Sequence, residues 1–138
     1  MTPAMCLAIA IYFEARGEPL QGQYAVGQVV LNRVEDERYP DTVCDVVFED
    51  RQFSFTHDGR PDRLPVVPCS EATPHLQCYT RASRKARRVA DDLLNWVTYP
   101  STSTHYHTVS VDPFWNSEYD LDERVGNHIF YTNNTAHR

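Results

Sequence analysis

The chain has 138 residues, a formal net charge of −6 and 41% hydrophobic residues. This length predicts one domain, residues 1–138, with enough chain to bury a core of its own. The hydrophobic content excludes a disordered protein, and no apolar run reaches the roughly 20 residues of a membrane-spanning helix. The negative charge argues against a protein whose whole surface binds nucleic acid, because such binding needs clustered Lys and Arg.

The first 34 residues predict two helices. Thr2 is suited to cap the first of them. Residues 4–15 are almost all apolar, so we expect this helix to be buried nearly all round. Gly17 and Pro19 should end it. The second helix is expected over Gly22–Val34, where the apolar residues form one stripe.

The middle of the chain combines a short helix, a loop and a long helix. Thr42 resembles a cap for a short helix over Val43–Phe48. The segment Thr56–Pro74 contains four prolines and little periodicity, which predicts a long loop. A helix over Tyr79–Val97 has one apolar face. Its other face carries Arg81, Arg84, Lys85, Arg87, Arg88, Asp91 and Asp92. A charged helix face is usually solvated, and the alternative is contact with an anionic polymer.

The C-terminal part changes character. Thr104–Val111 alternates and is rich in β-branched and aromatic residues, which predicts a strand, and Ile129–Thr132 is a second short strand. The fold class is therefore α+β, mainly helical with a small β element. We find no internal repeat and no linker that would divide the chain.

The four cysteines are Cys6, Cys44, Cys69 and Cys78. They allow three pairings, and the sequence does not choose among them or between bridges and free thiols. A Cys69–Cys78 bridge would close the proline-rich loop. No CxxC spacing is present, which argues against a structural zinc site.

Glu14 is the most unusual residue of the first helix. It is the one acidic residue in an apolar helix and lies at the C-terminal end. Burial and the negative end of the helix dipole both disfavour a charged carboxylate there, so we expect a raised pKa. A general acid that works near neutral pH needs such a pKa. The alternative is a solvated or Arg16-paired side chain at the helix end.

A second group of chemically capable residues lies in the predicted strand. His105 and His107 are two residues apart, so their side chains should share one face. With His128 they would form a candidate metal site, and without a metal they would be hydrogen-bonding groups of a cleft. Tyr106 and Trp115 are candidates for stacking on sugar rings, although most aromatic residues belong to a core.

Several blocks of the sequence carry a family resemblance. They read A-I-A-I-Y-F-E-A-R-G-E at residues 8–18, G-Q-Y-A-V-G-Q-V-V-L-N-R-V at 22–34, Y-P-D-T-V-C-D-V-V at 39–47, Q-F-S at 52–54, T-H-Y-H-T at 104–108, P-F-W at 113–115 and G-N-H-I-F-Y at 126–131. In this order and spacing they resemble the spore-cortex-lytic type of bacterial cell wall hydrolase, a family also found in phages. The resemblance covers most of the chain.

The resemblance implies a lysozyme-like catalytic domain that needs no cofactor or metal and acts on the glycan strands of peptidoglycan. The first glutamate of E-A-R-G-E, here Glu14, would be the catalytic acid/base. Better-studied members resemble lytic transglycosylases, which cleave the β-1,4 bond between N-acetylmuramic acid and N-acetylglucosamine without adding water. The expected substrate-binding residues are Glu18, Gln52, Ser54, His105, Tyr106, His107 and Trp115. Asn32 and Arg33 lie in the matched blocks, but we expect them to serve helix packing and capping.

Two other functions compete with this one. The first is a zinc-dependent amidase or peptidase that acts on wall peptides through His105, His107 and His128. The second is a wall-binding module without catalysis. Under the favoured interpretation we expect a monomer that acts in the periplasm or cell wall. Family members often carry a signal peptide and a wall-binding domain, and this sequence shows neither, as expected of a phage endolysin or an excised catalytic domain.

Overall fold

The computed structural model describes residues 1–49 and 63–135. Its elements in those ranges are α1 (Pro3–Ala15), α2 (Leu20–Val34), α3 (Val43–Phe48), β1 (Val66–Pro68), β2 (Gln77–Tyr79), α4 (Arg81–Asn95), β3 (His105–Thr108), a 3-10 helix (Phe114–Ser117), β4 (Asp120–Val125) and β5 (His128–Thr132). None of the helices in these ranges is both long enough and apolar enough to cross a bilayer.

Helix α1 is the centre of the fold. It packs against α2, α3 and α4, and every residue from Cys6 to Ile11 is fully buried. The Thr2 hydroxyl accepts a hydrogen bond from the Met5 N–H at 3.1 Å, which satisfies one of the free donors of the first turn. The predicted buried helix and its cap are therefore confirmed.

Helix α2 approaches its neighbours closely at Gly27. A Cβ atom at this position would lie 2.5 Å from Leu93 Cδ1 and 3.0 Å from Ile11 Cδ1, so a larger residue would force these side chains of α4 and α1 to shift. The helix begins at Leu20, two residues before the predicted start. Its last turn carries Asn32, whose Nδ2 donates to the carbonyls of Ser101 and Ser103, both at 2.9 Å. This confirms the capping role expected of Asn32.

A three-stranded antiparallel sheet in the order β3–β5–β4 covers one side of the helices. Tyr106 of β3 is paired with Phe130 of β5, and Phe130 joins Val125 and residues of α2 in a second core cluster. Tyr106 contacts both this cluster and the main core. Strand β3 is shorter than the predicted Thr104–Val111, and β4 is absent from the sequence prediction.

The proline-rich segment contains more order than predicted. Val66–Pro68 and Gln77–Tyr79 pair as an antiparallel hairpin inside and just after the expected loop. A disulfide joins Cys69 to Cys78 across this hairpin. A second disulfide joins Cys6 of α1 to Cys44 of α3, so the structure resolves the pairing that the sequence left open.

The two bridges should differ in their contribution to stability. The Cys6–Cys44 bridge closes 38 residues of sequence and the Cys69–Cys78 bridge closes 9. Loop-closure entropy then predicts a stabilisation of about 4 kcal/mol for the first and about 2.5 kcal/mol for the second. Urea unfolding of Cys6→Ser/Cys44→Ser and Cys69→Ser/Cys78→Ser should show the larger loss in the first variant. Four reactive thiols in the denatured, unreduced protein would contradict both bridges.

Candidate active site

Glu14 lies in the last turn of α1, where the buried helix reaches the surface. The side chain is half-buried. Its charge acts on two neighbours, the Tyr106 hydroxyl and the Arg33 guanidinium. The acidic residue singled out by the sequence is therefore at the meeting point of α1, α2 and β3.

Arg33 is the buried cation of this site. Only 5% of the residue is exposed, and Nε donates to the Thr104 carbonyl at 2.8 Å. The guanidinium carbon lies 5.1 Å from the centre of the Tyr39 ring. Burial lowers the pKa of Arg33, and the neighbouring Tyr39, Tyr106, Glu49 and Glu14 counteract this shift.

Sequence reasoning assigned Arg33 to packing and missed Glu49. The hydrogen bond to Thr104 confirms the packing role, and the charges of Glu14 and Glu49, which act on the guanidinium, add an electrostatic role. Glu49 directly follows the apolar helix α3. That signal, an acidic residue at the end of a buried helix, is the same one that identified Glu14.

Tyr106 faces the core side of β3. Its ring lies 5.0 Å from the His128 ring and 5.6 Å from the Phe130 ring. The hydroxyl is buried, and the Glu14 side chain acts on it through hydrogen bonding and charge. Burial raises the pKa of Tyr106 well above its ordinary value, and the neighbouring Glu14 raises it further. The site thus places a neutral phenol beside the candidate acid/base.

The opposite side of β3 carries a cluster of aromatic rings, which we call the aromatic face. His105 and His107 both contact Trp115, with ring centres 5.1 and 5.8 Å apart. This confirms that the two histidines share one face. The His107 ring stacks on Tyr131 at 5.3 Å, and His107 Nε2 lies 2.9 Å from the Tyr131 hydroxyl. Tyr119 completes the face, 4.7 Å from His105.

His105 is neutral at ordinary pH. Burial lowers its pKa to about 4, and the charges of Arg33 and Arg38 contribute to the shift. Its Nδ1 lies 3.0 Å from the Thr104 hydroxyl. A neutral imidazole of this kind can donate or accept a hydrogen bond without carrying charge.

His128 does not join the other two histidines. It lies against the Tyr106 ring on the core side of the sheet, whereas His105 and His107 point to the aromatic face. Burial lowers the pKa of His128, and the nearby Glu18 partly offsets the effect. Within residues 1–49 and 63–135, no cluster of three or more His, Cys, Asp or Glu side chains has a metal-binding arrangement. The three-histidine zinc site is therefore not formed.

Glu18 binds the turn between β4 and β5. Its carboxylate accepts hydrogen bonds from the Asn127 N–H at 2.7 Å and from Asn127 Nδ2 at 3.3 Å. The turn approaches closely because Gly126 has φ +57°, and a Cβ atom there would lie 2.5 Å from Glu18 Oε1. Glu18 thus fixes the α1–α2 turn to the sheet. Gln52 and Ser54, the other predicted substrate contacts, lie outside the described residues.

Protonation of His105 should couple folding to pH. The unfolded chain takes up this proton below about pH 6.5, whereas the folded chain takes it up only near pH 4. The free energy of unfolding is therefore expected to fall as the pH drops through this window. Urea unfolding at several pH values should show a weaker dependence in His105→Phe than in the wild type. Identical pH dependence in the two proteins would contradict the burial of a neutral His105.

Comparison with known proteins places this site in context. Residues 17–131 match the family model described as Cell Wall Hydrolase. The spore cortex-lytic enzyme of Oceanobacillus iheyensis is 32% identical over 125 residues, which are 90% of this chain and 39% of that enzyme. The corresponding enzyme of Halalkalibacterium halodurans is 34% identical over 90% of this chain and 33% of its own length. The chain thus spans well under half of these relatives.

A solved structure agrees with the sequence matches. The catalytic domain of the germination-specific lytic transglycosylase SleB from Bacillus anthracis superposes with a TM-score of 0.72 at 28% identity, covering 94% of this chain and 93% of that one. This match confirms the predicted lysozyme-like α+β class. Glu14 lies three residues before the range of the family model, so its assignment rests on the geometry described above.

Proposed function

The chain belongs to the cell wall hydrolase family, and from that premise we propose that it cleaves peptidoglycan between N-acetylmuramic acid and N-acetylglucosamine as a lytic transglycosylase. The similarity to spore cortex-lytic enzymes and to the SleB catalytic domain supports this substrate class. The observation that carries the proposal is Glu14, a carboxyl group at the end of a buried helix beside a buried arginine and a tyrosine whose hydroxyl is buried.

Glu14 acts first as the acid in the proposed mechanism. It donates its proton to the glycosidic oxygen as the bond to the muramic acid breaks. The sugar then carries oxocarbenium-like positive charge that a carboxylate or the substrate's own N-acetyl group stabilises. Ionised Glu14 next removes the proton from the 6-hydroxyl of the muramic acid, and that oxygen closes a 1,6-anhydro ring. If water attacks instead, the same site yields a muramidase product.

Arg33 assists this proton transfer through its charge. When Glu14 loses its proton, a carboxylate forms in a partly desolvated position. A buried cation nearby stabilises that anion more strongly than a solvated one would. Arg33 is held in place by the Thr104 carbonyl and the Tyr39 ring. We therefore assign it as a positioning residue that supports the ionised state of Glu14.

The substrate's N-acetyl group is the favoured source of charge stabilisation. Glu18, the carboxylate nearest to Glu14 in sequence, has both oxygens engaged with Asn127. A carboxylate in that position holds the β4–β5 turn, and its release to meet a sugar would break two hydrogen bonds. Glu18 as a direct substrate contact stays a prediction.

The aromatic face is the proposed glycan-binding surface. Trp115, His107 and the neutral His105 combine a stacking surface with hydrogen-bonding groups. Sugar rings are bound by this combination because their C–H faces stack on aromatic rings and their hydroxyls need partners. Tyr106 as a substrate contact stays a prediction; its ring packs against the core clusters and its hydroxyl is buried. Gln52 and Ser54 stay predicted groove residues.

The remaining assignments concern the setting of the enzyme. We propose that residues 1–138 form a single catalytic domain that acts as a monomer in the periplasm or cell wall. An origin in a phage lysis system stays a prediction. The separation of His128 from His105 and His107 argues against the zinc amidase alternative.

Glu14→Gln tests the proposal directly. The amide keeps the size of the side chain but holds no transferable carboxyl proton, so turnover on purified peptidoglycan should fall at least ~10²-fold. Release of soluble fragments measures turnover, and circular dichroism confirms folding. Glu35→Gln, an exposed glutamate just after α2, is the matched control and should keep wild-type turnover. A folded Glu14→Gln protein with full turnover would refute the assignment.

A further inference from the structure

Among the described residues, a dense group of exposed cations lies on α4, which contributes none of the candidate active-site residues. We call it the basic face. Its members are Arg81, Arg84, Lys85, Arg87 and Arg88, all exposed. They occupy the first eight positions of the helix, and about 10 Å separates the first from the last along its axis. This block is positive in a chain whose net charge is −6.

The orientation of the basic face is fixed by packing. The opposite side of α4 is buried through Ser83, Ala86, Val89, Ala90 and Leu93. The helix start is held as well, because the Thr80 hydroxyl accepts from the Ser83 N–H at 3.1 Å and Ser83 Oγ donates to the Pro65 carbonyl at 2.9 Å. The helix therefore cannot rotate to bring the cations toward acidic groups elsewhere.

Two of the arginines are also held individually. Arg84 Nη1 donates to the Tyr79 carbonyl at 2.8 Å, and the guanidinium of Arg87 lies 4.7 Å from the centre of the Tyr79 ring. Both contacts order a long side chain without neutralising its charge. An anion that binds here therefore meets cations whose conformational entropy is already partly lost.

The basic face is unfavourable for the helix itself. Cations in a first helical turn oppose the helix dipole, and like charges three or four residues apart repel. No acidic residue lies in the first turn of α4. Across the described part of the chain, no carboxylate forms a salt bridge with any of the five. Asp91 and Asp92 lie one turn after Arg87 and Arg88 and offset part of this repulsion. The remaining excess of positive charge is open to a partner outside the chain.

We propose that the basic face binds the free carboxylates of the peptide side chains of peptidoglycan, and so holds the enzyme on its polymeric substrate. This inference rests on the proposed substrate class. Peptidoglycan carries carboxylates on its peptides, and the negative enzyme would otherwise be repelled by such a polymer. Four of the five cations are arginines, whose planar fork matches a carboxylate in two parallel hydrogen bonds.

The test measures binding separately from cleavage. Peptidoglycan freed of phosphate-containing polymers is sedimented with the Glu14→Gln protein, with and without the added substitutions Arg81→Gln, Lys85→Gln and Arg88→Gln. Within residues 1–49 and 63–135, the side chains of these three residues form no hydrogen bond or salt bridge. Loss of three exposed charge contacts should weaken binding roughly fivefold to tenfold at moderate salt. The difference should vanish near 1 M salt, where the screening length is about 3 Å.

Two controls identify the partner. Ala72→Asp, Thr98→Asp and Ser110→Asp change the net charge by the same three units at exposed positions elsewhere, and should leave binding nearly unchanged. Peptidoglycan whose carboxyl groups are converted to amides is the second control. The Glu14→Gln protein should bind this polymer no more tightly than the protein with the three α4 substitutions binds unmodified peptidoglycan.

The outcomes that overturn the inference are specific. The inference is refuted if the protein with the three α4 substitutions binds peptidoglycan within twofold of the Glu14→Gln protein. It is also refuted if the Glu14→Gln protein binds the amidated polymer as tightly as the unmodified one. Binding that appears only on walls that keep their phosphate polymers, or on nucleic acid, would assign the surface to another partner. If the wild-type protein fails to cleave peptidoglycan while the predicted binding is observed, the proposed function is refuted and the binding role of the basic face still stands.

Discussion

The buried charge of Arg33 is the constraint on which the site depends. An arginine that is 95% removed from water loses its hydration and must recover the energy from neighbouring groups. The Thr104 carbonyl, the Tyr39 ring and the acidic residues Glu14 and Glu49 supply that compensation. Because these groups come from several elements, the cation ties the end of α1 and the end of α3 to the start of β3.

Fixing β3 in this way separates two chemical environments. Its alternating side chains place Tyr106 on the core side beside Glu14, and His105 and His107 on the aromatic face. On the core side, Glu14 is half-buried beside the Tyr106 hydroxyl, which suits proton transfer. The aromatic face carries aromatic rings and hydrogen-bonding groups and suits a sugar. Asn32 strengthens the arrangement by binding the carbonyls that lead into the strand.

The sequence predicted the features that depend on periodicity and on single anomalous residues. The four helices, the shared face of the two histidines and the position of Glu14 follow from repeats of 3.6 and 2 and from a carboxylate in an apolar helix. Strand β4 was missed because its sequence, D-L-D-E-R-V, is mostly exposed and charged, and its pairing with β5 is interrupted between Leu121 and Glu123. The β1–β2 hairpin was missed because it is short, exposed and rich in proline.

Contacts between distant parts of the chain were beyond such reasoning. The cysteine pairs, the Glu18–Asn127 contact and the neighbourhood of Glu49 depend on how the elements pack and not on local sequence. The role of Arg33 illustrates the same limit. Its position in an amphipathic helix indicates packing, and only the fold shows that the charges of Glu14 and Glu49 act on it.

The central claim is that Glu14 gives a proton to the leaving sugar and takes one from the 6-hydroxyl of muramic acid. Mass spectrometry of the soluble fragments released from purified peptidoglycan tests both steps at once. The account predicts fragments that end in 1,6-anhydro muramic acid, lighter by one water than hydrolysed fragments. Fragments ending in reducing muramic acid would contradict the second step, and free peptides released from uncut glycan would contradict the account as a whole.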